Sequence, residues 1–312
     1  MSNQELNIYY EGNQYKEGKI DIKEFAPSLL AFGELIEESN QVINNKGTEI
    51  KTYITADFEK KCFKCKLSLE TNSILQSAKN LFGLQETLNI YELLELLGFI
   101  GTGTTGILIT SYIAYKLRER GRKVKEHTIL QDGNVELVIE EETLKVEFNL
   151  FRLIKASWGK KSSIHKNFEK HLTTKGEIGY SNIGDDNIIK ITKEYKDAIL
   201  APDENRERIR SIQDPITTNL KIRIVDFYGD QKWTFIYAGR TIKPQEIEYS
   251  EQIKEKLKEI SKEVKYNSKL PVKMTITYEE DENGEAIEGT QKYQIQEITG
   301  NLIQEIKKPT LF

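Results

Sequence analysis

Cysteine, methionine, tryptophan and histidine are scarce in this 312-residue chain, with two, two, two and three copies. Two cysteines exclude a disulfide framework and suit a reducing compartment. They stand as Cys62-x-x-Cys65 inside CFKCKLSLE, a stretch that alternates as a strand and sets the two side chains on opposite faces. A zinc site needs a second such pair or added histidines, and a thioredoxin-type pair needs a helix start. Both cysteines therefore read as ordinary strand residues. A charged-then-apolar leader after Met1, Pro-rich or Ser-rich tracts and repeats of solenoid period are missing too. The formal net charge of -4 gives no global pull towards nucleic acid, so any polyanion site must be local. No catalytic dyad, metal cluster or P-loop lysine is legible, so the expectation is a protein that is not an enzyme and uses no cofactor or metal.

One stretch departs from the rest. Residues 96–115, LLGFIGTGTTGILITSYIAY, carry no charge in a chain that is 30% charged. The basic run KLRERGRKVK follows, with Lys116, Arg118, Arg120, Arg122, Lys123 and Lys125 against the single acid Glu119. About 20 apolar residues cross a hydrocarbon core as a helix, which predicts a membrane segment. Gly98, Gly101, Thr102 and Thr105 would share a close-packing stripe on a helical wheel. Together with Gly106 and Ile107 they are the expected membrane or pore residues. The positive-inside rule keeps the basic exit cytoplasmic, with Lys116, Arg118, Arg120, Arg122 and Lys123 at anionic headgroups. A single span would require exporting the first ninety residues without a signal, which a re-entrant hairpin with arms of about 15 Å avoids; its tip must be covered by neighbouring subunits or water. A homo-oligomer in the bacterial inner membrane follows from either.

Two other readings compete. Gly101-Thr-Gly-Thr-Thr-Gly106 matches G-x-G-x-x-G, yet YELLELLGFI before it reads as helix where a dinucleotide loop needs a buried strand. The stretch also suits a buried helical hairpin turning at GTGTTG, which would leave the protein cytoplasmic.

The chain in order gives an α+β fold: an N-terminal antiparallel sheet with a covering helix, central long helices holding the apolar Gly/Thr membrane segment, and a C-terminal mostly β domain. The expected divisions are 1–72, 73–126 with the membrane or oligomerisation segment at 96–115, 127–213 and 214–312. Strands are predicted over 6–12, 19–22, 49–58 and 62–70. Phe25, Leu29, Phe32, Ile36 and Ile43 recur at helical spacing, with Pro27 tolerated in the first turn. Helical pattern also covers 72–100. NVELVIEEETLKVEF predicts a hairpin turning near Glu141, and the remaining strands lie mostly after residue 214, with one helix, SEQIKEKLKEISKEV. Gly229-Asp230 and Asn283-Gly284 mark turns.

Residues 151–175, FRLIKASWGKKSSIHKNFEKHLTTK, hold seven Lys/Arg against Glu169, with Phe151, Trp158 and Phe168 interleaved. Cations for phosphate and aromatic faces for bases are what single-stranded nucleic acid uses. Arg152, Lys155, Trp158, Lys160, Lys161 and Lys166 are the expected ligand contacts. An amphipathic helix pair gives the same pattern with Phe and Leu inward.

Three features together carry a resemblance: GKIDIKEFAPSLLAFGELIEESN, the Gly-rich apolar stretch with its basic exit, and the WTFIYAG unit. The combination resembles uncharacterised bacterial proteins found near mobile elements, and is similar to the membrane effector subunit of Hailong-type anti-phage defence. The resemblance implies a tetrameric channel beside a nucleotidyltransferase encoded nearby, held shut by short single-stranded DNA or a nucleotide. The alternative is a soluble nucleic-acid-binding or scaffold protein.

Overall fold

The structure, a computed structural model, describes residues 3–12, 15, 20–44, 49–56, 63–71, 88–101, 108–109, 111–158, 162–182, 188–201, 209–225, 233–281 and 284–304. The chain forms two compact units. The first comprises residues 1–125, 133–207 and 282–284, and the second 126–132, 208–281 and 285–312.

The first unit holds a five-stranded antiparallel sheet in the order β2-β3-β1-β8-β9, made by β1 (Asn3–Glu11), β2 (Ile50–Ala56), β3 (Phe63–Thr71), β8 (Glu177–Asn182) and β9 (Ile189–Ile191). Leu6, Ile8, Tyr10, Leu67, Leu69, Ile178 and Tyr180 form its buried face. Over that face lies α1 (Ile22–Asn44), presenting Leu29, Phe32, Ile36 and Ile43 at the predicted spacing. The strand predicted at 19–22 is absent from its described part, because Ile22 already opens the helix. Asp21 caps it: its side chain accepts the N–H of Lys23 and its carbonyl those of Glu24 and Phe25. The sheet gains β8 and β9 from far down the chain, a long-range pairing that local pattern does not encode.

The uncharged stretch breaks into short pieces, which overturns the membrane segment. After α2 (Ile90–Leu97), Gly98 turns into the left-handed region at φ 91° and its N–H closes on Leu94 and Glu95. Phe99 then enters the core, 5.0 Å from Phe32, 4.7 Å from Tyr180 and 5.8 Å from Phe168, centroid to centroid. Leu108–Ile109 form β4, parallel to β7 (Glu142–Glu147). Ser111 caps α3 (Tyr112–Glu119) by accepting the Ala114 N–H. Among the described residues no helix is long and apolar enough to cross a membrane. The membrane, channel and transmembrane-helix reading and its long central helices are therefore withdrawn. Aromatic packing and caps account for the absence of charge here: Leu96, Leu97, Phe99, Ile100, Tyr112, Ile113 and Tyr115 are buried in protein. Thr102, Thr105, Gly106 and Ile107 lie outside the described residues, as do the helix predicted over 72–87, Cys62, Gly229-Asp230 and Asn283.

The first unit is completed by β6 (Asn134–Ile139), hairpinned to β7 through Glu140 and Glu141, and by α4 (Phe148–Ala156), α5 (Ser163–Leu172) and α6 (Lys193–Ile199). The left-handed backbone of Glu140, φ 55°, supplies the tight turn.

The second unit is built on β10 (Ile209–Ile224), which pairs antiparallel with β14 (Lys269–Glu280) and with β11 (Thr234–Tyr237), and parallel with residues 126–129 of β5 (Val124–Ile129). β12 (Arg240–Ile242) continues from β11. On the other side β14 is followed by β15 (Lys292–Ile298) and β13 (Ile247–Tyr249). The core joins Leu220, Ile222, Trp233, Phe235, Leu270, Val272 and Met274 with Ile253 and Leu257 of α7 (Glu251–Ser261). The C-terminal region is thus a mixed sheet with one covering helix. Across the row β5–β10–β14 sit three buried polar residues, His127, Ser211 and Glu280, with His127 Nε2 and Glu280 Oε2 3.3 Å apart.

A candidate polyanion-binding face

Alternation along β10 and β14 sends Leu220, Ile222, Leu270 and Val272 into the core and Lys221, Arg223, Lys269 and Lys273 to the opposite face. None of these four cations is buried. The register sets Lys221 directly across from Lys269. Arg223 stands two residues beyond Lys221, and Lys273 two register steps down from Lys269, opposite Thr217. Each step of two residues advances about 6.8 Å. Among the described residues Glu297 on β15 is the register partner of Lys273. Like charges directly opposite one another repel across a ladder, and Lys221 and Lys269 are such a pair.

At the end of the strip a tight turn projects an aromatic ring. Ser268 donates its N–H to the Lys265 carbonyl at 3.1 Å and accepts the Lys265 N–H on Oγ at 2.9 Å. Asn267 occupies the left-handed region the turn requires, φ 63°. The Ser268 carbonyl accepts the N–H of Ile222, fixing the turn beside Arg223. Tyr266 at its tip is 81% exposed, with Lys262 and Lys265 beside it and Glu263 as the local acid. A sheet face with four cations, flanked by a solvent-facing ring, offers charge for phosphate and a surface for stacking.

The residues expected to bind nucleic acid lie in the first unit and serve several purposes. Arg152 donates Nη1 to the Ile43 carbonyl at 3.0 Å and Nη2 to that of Val42, closing the C-terminus of α1. Trp158 is 3% exposed and meets Phe151 edge-on at 6.2 Å, so its ring offers no face to a ligand. Lys155 is half-buried and Lys166 exposed on α5. Lys160 and Lys161 lie outside the described residues. Phe168 belongs to the aromatic core with Phe99 and Tyr112.

The basic exit is similarly divided. Lys116 turns inward and donates to Glu119 at 2.7 Å, both side chains almost wholly buried. Arg118 and Arg122 converge on Glu142, Arg118 Nε at 2.7 Å and Arg122 Nη2 at 3.0 Å. Arg118 first, then Arg122, holds the Glu142 carboxyl below the usual carboxylate range. An open groove of about 640 Å³ runs here, lined by Arg122, Lys123, Lys125, Glu140, Glu141 and Glu142. Its cations and acids balance, so it concentrates no net charge. Arg120 and Lys123 are exposed. Gly98 and Gly101 pack against protein: a Cβ on Gly98 would meet Ser111 Oγ at 2.9 Å, and one on Gly101 would meet Glu95 Oε1 at 3.0 Å.

A buried hydrogen-bonded chain ties the first unit together. His171 Nδ1 donates to the Ser28 carbonyl at 3.0 Å, since a carbonyl only accepts. Nε2 therefore accepts from the Tyr180 hydroxyl at 2.6 Å. Ser28 Oγ donates to the His171 carbonyl at 3.0 Å and lies 3.2 Å from the Tyr10 hydroxyl. Burial pushes His171 down to about 3, so the ring is neutral. Lys196 is lowered to about 8, again by burial, and gives its ammonium to the Thr174 carbonyl at 2.7 Å. These groups are sealed in the interior and serve packing. Among the described residues no group of three or more His, Cys, Asp or Glu side chains is placed to hold a metal.

No protein family, curated protein or solved structure matches the chain. The sequence signal for the cationic face was present in KIRI and KLPVK, where cations alternate with core aliphatics at period two. Its strength comes from the register, which brings the two strands side by side.

Proposed function

We propose that the protein is a non-catalytic binding protein that holds a nucleic-acid-like polyanion on the outer sheet face of its second unit. The observation that carries this reading is the Lys221–Lys269 cross-strand pair, extended by Arg223 and Lys273 and flanked by the exposed Tyr266. In a chain of net charge -4 the clustering is local, which is the form a polyanion site must take here. We place its action in the cytoplasm, the compartment that suits its two cysteines. The resemblance to anti-phage effectors agrees with this reading in the ligand, a short single strand, and not in the channel.

Fluorescence anisotropy with labelled single-stranded DNA and RNA of mixed sequence, titrated across salt, tests it. Binding should weaken as salt rises, and Lys221→Glu with Lys269→Glu should reduce both affinity and the steepness of the salt dependence. Tyr266→Ala should weaken binding with little change in salt slope, because stacking is lost and charge is not. Affinity unchanged by the double reversal would remove the site, and loss on Lys166→Glu alone would move it to α5.

A further inference from the structure

We propose that the first unit pairs with a second copy of this chain along β2 and α1, extending the five-stranded sheet across a two-fold axis. β2 is an outer strand: it pairs with β3 and, among the described residues, with nothing on its other side. Ile54 lies in register with Leu67, on the face that α1 covers, yet is 54% exposed. A core-face aliphatic is therefore left uncovered at the sheet edge. Tyr53, on the other face, is 48% exposed. Such an edge, without proline, invites another strand unless it is blocked or used.

The flank of α1 on the same side is uncovered as well. Gly33 approaches Thr52, where a Cβ would lie 3.7 Å from its side chain. That contact fixes which flank of α1 faces the open edge. At 100° per residue, Lys23, Ala26, Leu30, Glu34 and Glu37 form one stripe just outside Gly33, and every one is exposed. Leu30 is 66% exposed. Only five residues separate α1 from β2, so β2 runs back along the helix. Two residues beyond Thr52 correspond to about four to five residues of helix, which brings Ile54 level with Leu29 and Leu30.

A second copy satisfies both surfaces with one axis. Centring antiparallel β2 strands on Tyr53 places the axis within about one helical turn of Leu30, so that Leu30 meets its own counterpart. Lys23 and Glu37 are each seven residues from Leu30, so each Lys23 faces the other copy's Glu37. The complementarity of Lys23 and Glu37 about a leucine centre is what selects a second copy over an unrelated peptide.

Sedimentation velocity of the full chain over a range of concentrations tests the pairing. A reversible dimer is expected, with Leu30→Glu or Ile54→Glu raising its Kd at least about tenfold. Lys23→Glu and Glu37→Lys should each weaken it, and the two together should restore it, a rescue that misfolding cannot mimic. Tyr53→Cys should give a disulfide-linked dimer on oxidation, lost when Leu30→Glu is added. A chain monomeric at every concentration, or a dimer indifferent to Leu30→Glu and to the charge swap, overturns the proposal.

Discussion

The two units differ in where the backbone sets cations side by side, although both pair cations with local acceptors, as Arg240 with Glu246 and Arg223 with Thr241 in the second. In the first, Lys116 is buried on Glu119, Arg118 and Arg122 share Glu142, Arg152 closes a helix and Lys196 closes a turn. Each of these five positive charges answers to a local acceptor, while Lys123 and Lys166 stay exposed. In the second unit Lys221 faces Lys269 across a ladder, with Arg223 and Lys273 on the same surface. Density of Lys and Arg along the chain is thus a poor guide to where a polyanion binds. What the register sets side by side counts as well as the tally along the chain.

The sharpest way to break this contrast is to take away an acceptor in the first unit. Glu119→Gln leaves the Lys116 ammonium buried without its carboxylate and should cost about 3–5 kcal/mol in urea unfolding. Replacing both residues by apolar ones of similar size should recover most of that loss. Gly98→Ala is next. It forces a side chain into the left-handed region and to within 2.9 Å of Ser111 Oγ, at a cost of about 1–3 kcal/mol. If the variant were neutral, the helix end at Gly98 would not be as described.

Acidification probes the same unit more gently. His171 is depressed to about 3, so the unfolded chain binds more protons than the folded one between there and the ordinary histidine value near 6.5. Its contribution to stability is full above about pH 6.5 and is lost as pH falls towards 3, at no more than about 1.4 kcal/mol per pH unit. A His171→Phe variant should show a shallower acid limb in thermal melts. The smallest effect has the opposite sign. Lys221→Glu in the second unit should stabilise by about 0.2–1 kcal/mol, because it sets an acid directly across from Lys269.

Much of the architecture was legible in the residues. The α1 stripe, the hairpin turning at Glu140 and Glu141 and the period-two strands of the second unit all follow from local pattern. The uncharged stretch was misread for a physical reason. Absence of charge reports burial and not the medium that does the burying, and a protein core seals Phe99 and Tyr112 as well as lipid would. Gly98 held the better signal, a glycine directly after a Leu-rich helix and thus a C-cap. Trp158 and Phe168 misled in the same way, since aromatics among lysines also mark amphipathic helices. The cationic face escaped notice because its halves lie nearly fifty residues apart, and only their register unites them.

The opposed lysines carry an evolutionary consequence. A screen that rewards thermal stability alone would favour an acid at position 221, across from Lys269, and on the proposed reading every such gain would take a cation from the binding face. Retention of both lysines in diverging copies would be the mark of selection for the proposed ligand, since stability pulls the other way. The same positions would be the first to diverge in copies of the protein released from that duty.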